Sequence, residues 1–242
     1  MAFHLITDFG LEGPYVGQVL ARLYHDAPQI PAFSLFADAP AFDPQHGAYL
    51  VAAYGGFTAV GDVMICVVDP GVGTERGGLI LQADGRWYVG PDNGLLVIAE
   101  KQAQEAAWWW LAPPIAGGSQ TFHGRDWFAP AAARIARGEL QAVCALSGSP
   151  TVGADWPDDL AEIVYIDRYG NAMTGLRGTT LPMRARLSVA GVVVKSGTVF
   201  AAARPDTPFW YVNANGLVEI AVNRGRADEV LGLAIGSPVE RV

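Results

Sequence analysis

The sequence predicts an α/β domain with a mostly parallel sheet, followed by a small all-β, barrel-like domain. Strand-like apolar runs alternate with helical patterns over roughly residues 1–145, which is typical of an α/β sheet. The periodicity stops at residues 147–159, where Ser, Gly, Pro and Asp dominate. Short strand patterns separated by turn signals follow. We therefore expect an α/β domain at 1–146, a linker at 147–159 and a β-barrel domain at 160–242.

Periodicity and turn signals place the individual elements. Residues 62–69, DVMICVVD, are a continuous apolar run, which indicates a central parallel strand buried on both faces. Residues 77–90 indicate a hairpin that turns at Asp84-Gly85. The other first-domain elements are strands at 3–8 and 31–38 and helices at 15–26, 42–57, 93–104 and 126–138. Second-domain strands are predicted at 161–167, 184–191, 192–200, 209–214 and 217–223, with a last run within 231–242.

Composition argues against several classes of protein. No apolar run reaches the roughly 18 residues of a membrane-spanning helix, and the N-terminus resembles a mature first strand more than a secretion signal. The net charge is −8 and the 16 basic residues are scattered, so we expect no nucleic-acid partner. Cys66 and Cys144 each lie in an apolar run, which predicts buried free thiols in a reducing, cytoplasmic compartment. Neither has a second ligand at zinc spacing, so we expect no metal site.

Reactive side chains concentrate at strand ends and glycine-rich turns, where open α/β sheets bind ligands. Asp8, in TDFGLEGPYVG, is suited to accept hydrogen bonds from a ribose diol or to cap the following turn. Asp69 and Arg76, in VVDPGVGTERGG, form either a catalytic pair or a structural ion pair. An arginine in that place would keep the carboxylate ionised and oriented. The glycines here do not spell the dinucleotide-binding fingerprint.

Two further segments carry polar groups of the same kind. His123, in QTFHGRDWF, is able to hold or pass a proton near neutral pH, although a histidine in a loop is often only solvated. Asp167, Tyr169 and Asn171, in YIDRYGNAMTG, offer an acceptor, an aromatic face and an amide, or form an ordinary hairpin turn. Taken together, the four segments suggest a site for a ribose-bearing, cationic or polar small molecule at a domain boundary.

The motifs TDFG, PYVG, FDPQHGAYLV, VVDPGVGTER, PDNGLL, TFHGRDWFAPAAA, IDRYGN and NGLVEIAVNRGRA follow in this order over nearly the whole chain. In this the sequence resembles the S-adenosylmethionine hydroxide adenosyltransferase family, relatives of enzymes that attack the same substrate with fluoride or chloride. The resemblance implies hydrolysis of S-adenosylmethionine to adenosine and methionine without a cofactor. It also implies a homotrimer whose active sites lie between the first domain of one subunit and the second domain of its neighbour.

The resemblance also implies residue roles. Asp69, Arg76 and His123 would form the catalytic set around the attacking water, and Asp69 and His123 would take its proton. The halide-using relatives differ at the positions of Asp69 and His123-Gly124, so the resemblance favours water over halide. The implied substrate contacts are Asp8 with the ribose hydroxyls, Phe42 with the sugar, Phe122 at the reaction centre, Asp167 with the methionine ammonium, Tyr169, Asn171 and Met173 around the adenine, and the backbone of Val222 and Arg224 at the adenine edge.

This chain departs from the family pattern at several positions. Gly13, Ala214 and Gly175 stand where the family usually has Asp, Ser and Asn, and Phe36-Ala37 replaces a Thr/Ser-His pair. Gly13 and Ala214 fall among positions that hold the methionine end of the substrate. Two other functions stay open at this point: a module that binds S-adenosylmethionine or adenosine with negligible turnover, and a halide-dependent 5′-halo-5′-deoxyadenosine synthase.

Overall fold

The computed structural model describes residues 1–114, 117–147, 149–197, 200 and 203–242. These residues fall into two units, Met1–Trp156 and Pro157–Val242. Sequence motifs for the catalytic set lie in the first unit, and those for the adenine contacts lie in the second.

The first unit is a mixed sheet with helices on both faces. Its strands are β1 (Phe3–Thr7), β2 (Ala32–Phe36), β3 (Val63–Val67), β4 (Gly78–Ala83), β5 (Arg86–Pro91), β6 (Ala106–Leu111) and β7 (Cys144–Ser147), and its helices are α1 (Tyr15–Asp26), α2 (Pro44–Gly55), α3 (Val97–Gln102) and α4 (Ala129–Ala136). The strand order is β2-β1-β3-β5-β4-β6-β7. The pairings β1–β2, β1–β3 and β3–β5 are parallel, whereas β4 pairs antiparallel with β5 and β6, and β6 with β7. The α/β class is confirmed, and the structure adds an antiparallel half.

Strand β3 lies inside this sheet, between β1 and β5 and parallel to both, as its apolar run predicts. All its residues are buried, and they contribute alternately to the two faces because successive side chains of a strand point to opposite sides. Val63, Ile65 and Val67 belong to the core cluster that includes residues of α1 and α4. Met64 and Cys66 belong to the cluster that includes residues of α2 and α3. Burial on both faces explains why this run shows no polar alternation.

Helix α2 begins and ends two residues inside its predicted bounds, and the next two helices differ more. Helix α3 begins at Val97 rather than at 93, because Gly94 adopts φ +92° and the Asn93 side chain accepts from Leu95 N, which makes a turn. A π-helical turn at Gly124–Phe128 precedes α4, so helical backbone begins directly after His123. The N–H of Ala129 bonds to Gly124 O, five residues back, in place of Arg125 O. Pro130 follows at the start of α4, where its missing N–H is tolerated. Such π turns are frequent at functional sites.

The second unit is a nearly closed, barrel-like sheet. Its elements are β8 (Leu160–Ile166), β9 (Ala172–Arg177), β10 (Arg186–Val189), β11 (Val192–Ser196), β12 (Pro208–Val212), β13 (Leu217–Val222), α5 (Ala227–Leu231) and β14 (Val239–Arg241). The order is β14-β10-β11-β12-β13-β9-β8, and backbone bonds between Ile163 and the residues Gly236 and Ser237 join the two ends. The predicted strand at 192–200 ends at Ser196, and its residues 198–199 lie outside the described part of the chain.

The segment at 147–159 is attached to the first unit over its described residues. Thr151 donates to the Asp92 carboxylate through its backbone N–H at 3.0 Å and through its hydroxyl at 2.6 Å. Lys101 Nζ donates to Ala154 O at 2.9 Å and also to the carbonyl of Trp156. Up to Trp156, the described residues of this segment belong to the first unit. Among the described helices, none is long and apolar enough to cross a membrane.

Candidate active site

Arg76 joins two of the predicted site residues into one network. Its Nε donates to Asp69 Oδ1 at 2.9 Å, and its Nη2 donates to Asp69 Oδ2, so the pair is bidentate. The same Nη2 lies 2.8 Å from His123 Nδ1. The structure thus brings together three residues from two distant parts of the chain, and all three side chains are largely buried.

The glycine-rich turn after β3 makes this contact possible. Asp69 follows the end of β3, and bonds from Val72 N to Asp69 O and from Thr74 N to Gly71 O fold the chain back. Gly73 adopts φ +81°, and a Cβ there would lie 2.9 Å from Gln120 O, so two independent constraints require glycine. Folded in this way, the turn returns Arg76 to the carboxylate that precedes it.

The hydrogen bond from Arg76 fixes the protonation pattern of His123. A guanidinium only donates, so Nδ1 of His123 must accept, and the neutral ring carries its hydrogen on Nε2. Burial lowers the pKa of His123, and the nearby Arg76 charge lowers it further. His123 is therefore a neutral imidazole at pH 7, with Nδ1 engaged and an N–H donor on its other nitrogen.

Two aromatic rings brace the guanidinium. The Arg76 Cζ lies 5.4 Å from the ring centroid of Trp127 and 5.3 Å from that of Phe128. His123 makes an edge contact with Trp127 at 5.1 Å between centroids. Sequence reasoning did not single out Trp127 and Phe128, although they directly follow the HGRD motif.

The network borders a cavity of about 360 Å³ in the first unit. Asp8, at the end of β1, also lines it, and the N–H of Phe42 donates to Asp8 Oδ2 at 3.0 Å. Phe42 is exposed and adopts φ +61°. Burial raises the pKa of Asp8, and the neighbouring Asp69 charge adds to the shift. The predicted residues at this cavity are Asp8, Phe42, Asp69, Phe122 and His123.

The apolar wall of this cavity is an aromatic cluster of Phe9, Tyr15 and Phe122. Their ring centroids lie 5.4 to 5.9 Å apart. Only Phe122 was predicted as a site residue. Tyr15 lies in the quoted PYVG motif and Phe9 follows Asp8, so adjacency to named motifs was the signal available for both. Two carboxylates, an imidazole and an apolar wall thus surround one space.

A second cavity, of about 800 Å³, lies in the second unit. It is lined by all the predicted second-domain site residues, which are Asp167, Tyr169, Asn171, Met173, Val222 and Arg224. Gly170 adopts φ +80° in the turn between β8 and β9. Asp167 organises that turn: its Oδ1 accepts from the N–H groups of Tyr169 and Asn171, and its Oδ2 accepts from the Asn171 amide. The Asx turn is thus formed, and it leaves the Tyr169 side chain exposed.

The remaining candidates for a role in the site are the two cysteines and the possible metal ligands. Cys66 is buried, and burial raises its pKa, whereas Cys144 is only half-buried, contrary to the expectation that both thiols are buried. Within the described residues, no group of three or more His, Cys, Asp or Glu side chains is arranged to hold a metal ion.

Comparison with known proteins identifies the family. The profile of the SAM hydroxide adenosyltransferase N-terminal domain matches residues 3–144, and that of the C-terminal domain matches residues 161–240. A Thermus thermophilus protein named (R)-S-adenosyl-L-methionine hydrolase is 38% identical, covering 98% of this chain and 97% of its own. A Salinispora arenicola protein of the same name is 35% identical, covering 95% and 93%.

Solved structures share the fold. A conserved hypothetical protein from Thermus thermophilus superposes with a TM-score of 0.80 at 34% identity, covering 100% of this chain and 99% of its own. An uncharacterized conserved protein from Thermotoga maritima gives a TM-score of 0.88 at 24% identity, covering 99% of each chain. With both domains matched in order over nearly the full length, the chain belongs to the SAM hydroxide adenosyltransferase family.

Proposed function

We propose that this protein hydrolyses S-adenosyl-L-methionine to adenosine and L-methionine. The observation that carries the proposal is the Asp69–Arg76–His123 network at the wall of a cavity that also holds Asp8. Two family members more than 30% identical over nearly the whole chain are named as hydrolases of this substrate, which supports the same reaction here.

The chemistry needs a positioned water and no more. The sulfonium makes methionine a neutral leaving group, so C5′ requires only an in-line nucleophile. The water oxygen forms a bond to C5′ as the C5′–S bond breaks, sulfur keeps the electron pair, and one proton is released. Holding the water in line is worth several orders of magnitude in rate, because orientation replaces a bimolecular encounter. No cofactor enters this scheme, in which S-adenosylmethionine is the substrate.

The hydrogen-bond pattern divides the work between Asp69 and His123. Each Asp69 oxygen keeps a lone pair beyond its bond to Arg76, so the carboxylate is able to accept the water's proton. Nδ1 of His123 is engaged with Arg76, so the ring offers an N–H donor that orients the water by its oxygen. We therefore assign proton removal to Asp69 alone, whereas the family resemblance implied that Asp69 and His123 both take the proton.

We assign the remaining substrate contacts from the family resemblance and from the cavity that each residue lines. Asp8 binds the ribose diol, Phe42 packs on the sugar and Phe122 lines the reaction centre. In the second-unit cavity, Asp167 accepts the methionine ammonium, Tyr169, Asn171 and Met173 surround the adenine, and the backbone of Val222 and Arg224 reads its edge. Because the two sets of residues line cavities of different units, we further propose a homotrimer in which neighbouring subunits complete each site.

We also propose that this enzyme is cytoplasmic, where its two free thiols would stay reduced.

One incubation tests the reaction. Purified protein is mixed with S-adenosylmethionine in heavy-oxygen water, with and without chloride, and the products are identified by mass spectrometry. Hydrolysis predicts adenosine that carries the heavy oxygen at C5′ in both conditions. Formation of 5′-chloro-5′-deoxyadenosine would instead identify a halide-using synthase, and bound but unchanged substrate would identify a binding module.

A further inference from the structure

Glu219 is a buried carboxylate that lines the second-unit cavity. It lies on β13 directly opposite Tyr211 of β12 and is 2% exposed. Its Oε1 accepts from the Tyr211 hydroxyl, and its Oε2 accepts from Asn213 Nδ2 at 2.8 Å. Both donors are neutral. Among the described residues, no Lys, Arg or His forms an ion pair with this carboxylate.

The surroundings leave the charge of Glu219 uncompensated. Burial raises its pKa, and the nearby charge of Asp167 raises it further. Of the two arginines at the cavity, Arg226 is paired with Asp228 at 2.8 Å, and Arg224 is exposed to solvent. A buried carboxylate with no cationic partner lowers stability relative to a neutral residue of the same shape. A donor on each oxygen fits the ionised carboxylate, and a charge kept at such a cost is characteristic of a functional site.

We propose that Glu219 is a specificity-determining residue that makes this cavity select the cationic end of the substrate. This rests on the proposed function. S-adenosylmethionine carries a sulfonium and an ammonium, whereas the product adenosine carries no charge. A negative charge in a poorly solvated wall attracts a cation far more strongly than it would in water. The cavity therefore holds S-adenosylmethionine more tightly than adenosine, which favours release of adenosine after the reaction.

A series of three ligands separates the possible sources of the cation. S-adenosylmethionine has both cationic groups, S-adenosylhomocysteine has only the ammonium, and 5′-methylthioadenosine has neither. Binding is measured by calorimetry in an Asp69→Asn background, in which turnover of S-adenosylmethionine is strongly slowed. The test variant is Glu219→Gln, which keeps the size of the side chain and an acceptor for Tyr211 but gives up the acceptor for Asn213 Nδ2. The matched control is Glu240→Gln, which removes the same charge from an exposed position that lines neither cavity.

We expect Glu219→Gln to lower the affinity for S-adenosylmethionine by about tenfold and to leave the affinity for 5′-methylthioadenosine unchanged. If the affinity for S-adenosylhomocysteine falls by the same factor, the carboxylate attracts the ammonium. If that affinity is unchanged, the carboxylate attracts the sulfonium. The melting temperature of the variant should stay close to that of its parent, because removal of the buried charge offsets the lost bond from Asn213.

Two results would overturn the inference. Equal weakening of all three ligands, with a lower melting temperature, would mean that Glu219 only supports the fold. Unchanged affinity for all three would mean that its charge does not reach the ligand. Neither result touches the proposed function, which is tested by turnover of the unmodified protein, and binding is measurable even if that turnover is absent.

Discussion

At the residue scale, Arg76 is the centre of the site because it fixes both of its partners. It orients the Asp69 carboxylate with two bonds and sets the tautomer of His123 with a third. Lysine has a single donor group in place of the planar fork and would not reproduce these bonds. The network is therefore expected to act as a unit, so that the loss of any one member costs most of the activity.

Replacing Asp69 with Asn tests the assignment of the proton acceptor. Asn keeps the shape but has no negative charge, so we expect kcat to fall by about 10²- to 10⁴-fold while KM for S-adenosylmethionine stays within a few-fold. Steady-state kinetics measures both constants. Glu75→Gln is the control, since it removes an exposed carboxylate from the same turn. A loss confined to KM would show that Asp69 binds substrate and does not activate water.

The pH dependence of kcat/KM tests the role of His123. Its pKa lies below the ordinary value of about 6.5, because burial and Arg76 both oppose the charged form. Protonation at Nδ1 would break the bond from Arg76. We therefore expect constant kcat/KM above that ordinary value and a fall as the pH drops through the lowered pKa. In His123→Asn this limb should disappear. An unchanged profile in the variant would remove His123 from the mechanism.

At the scale of elements, the sequence predicted those whose pattern depends on burial alone. Helix α1 has the predicted bounds, and β3 and the hairpin at Asp84-Gly85 also formed as expected. Strand β6 was missed because its run of tryptophans at Trp108–Trp110 is only half-buried and lacks alternation. The π turn after His123 was missed because a π turn and an α turn differ by one residue in their hydrogen bonding, which the apolar pattern of five residues does not resolve. The local sequence therefore predicts neither strand β6 nor the π turn.

Close packing between β3 and β5 offers a test at this scale. A Cβ at Gly90 would lie 2.6 Å from the carbonyl oxygen of Cys66, a backbone atom that cannot turn aside. We expect Gly90→Ala to lower the free energy of unfolding by about 1–3 kcal/mol. Gly17→Ala is the matched control, because that position is an exposed helix interior with no atom within 4 Å. The control should gain about 0.5–1 kcal/mol. Urea denaturation measures both, and equal effects would contradict the packing argument.

At the scale of the whole molecule, the site residues come from segments far apart in the chain. Arg76 and His123 are 47 positions apart, and no periodicity in the sequence predicts that they touch. The family resemblance suggested this grouping, since it assigns roles by motif. Neither source indicated Glu219 or the tautomer of His123, because both follow from contacts that exist only in the folded chain.

A complementation experiment tests whether neighbouring subunits share a site. Asp69→Asn disables only the first unit, and Tyr169→Ala/Asn171→Ala disables only the second-unit cavity. The two variants are co-expressed with different tags, and mixed oligomers are isolated through both tags. In a cyclic trimer with sites between subunits, every mixed ring contains one site with both halves intact, so about one third of the wild-type activity should return. Separately purified variants mixed without exchange are the control. Sites built within single subunits would give no recovery, because every chain then carries a disabling change in its own site.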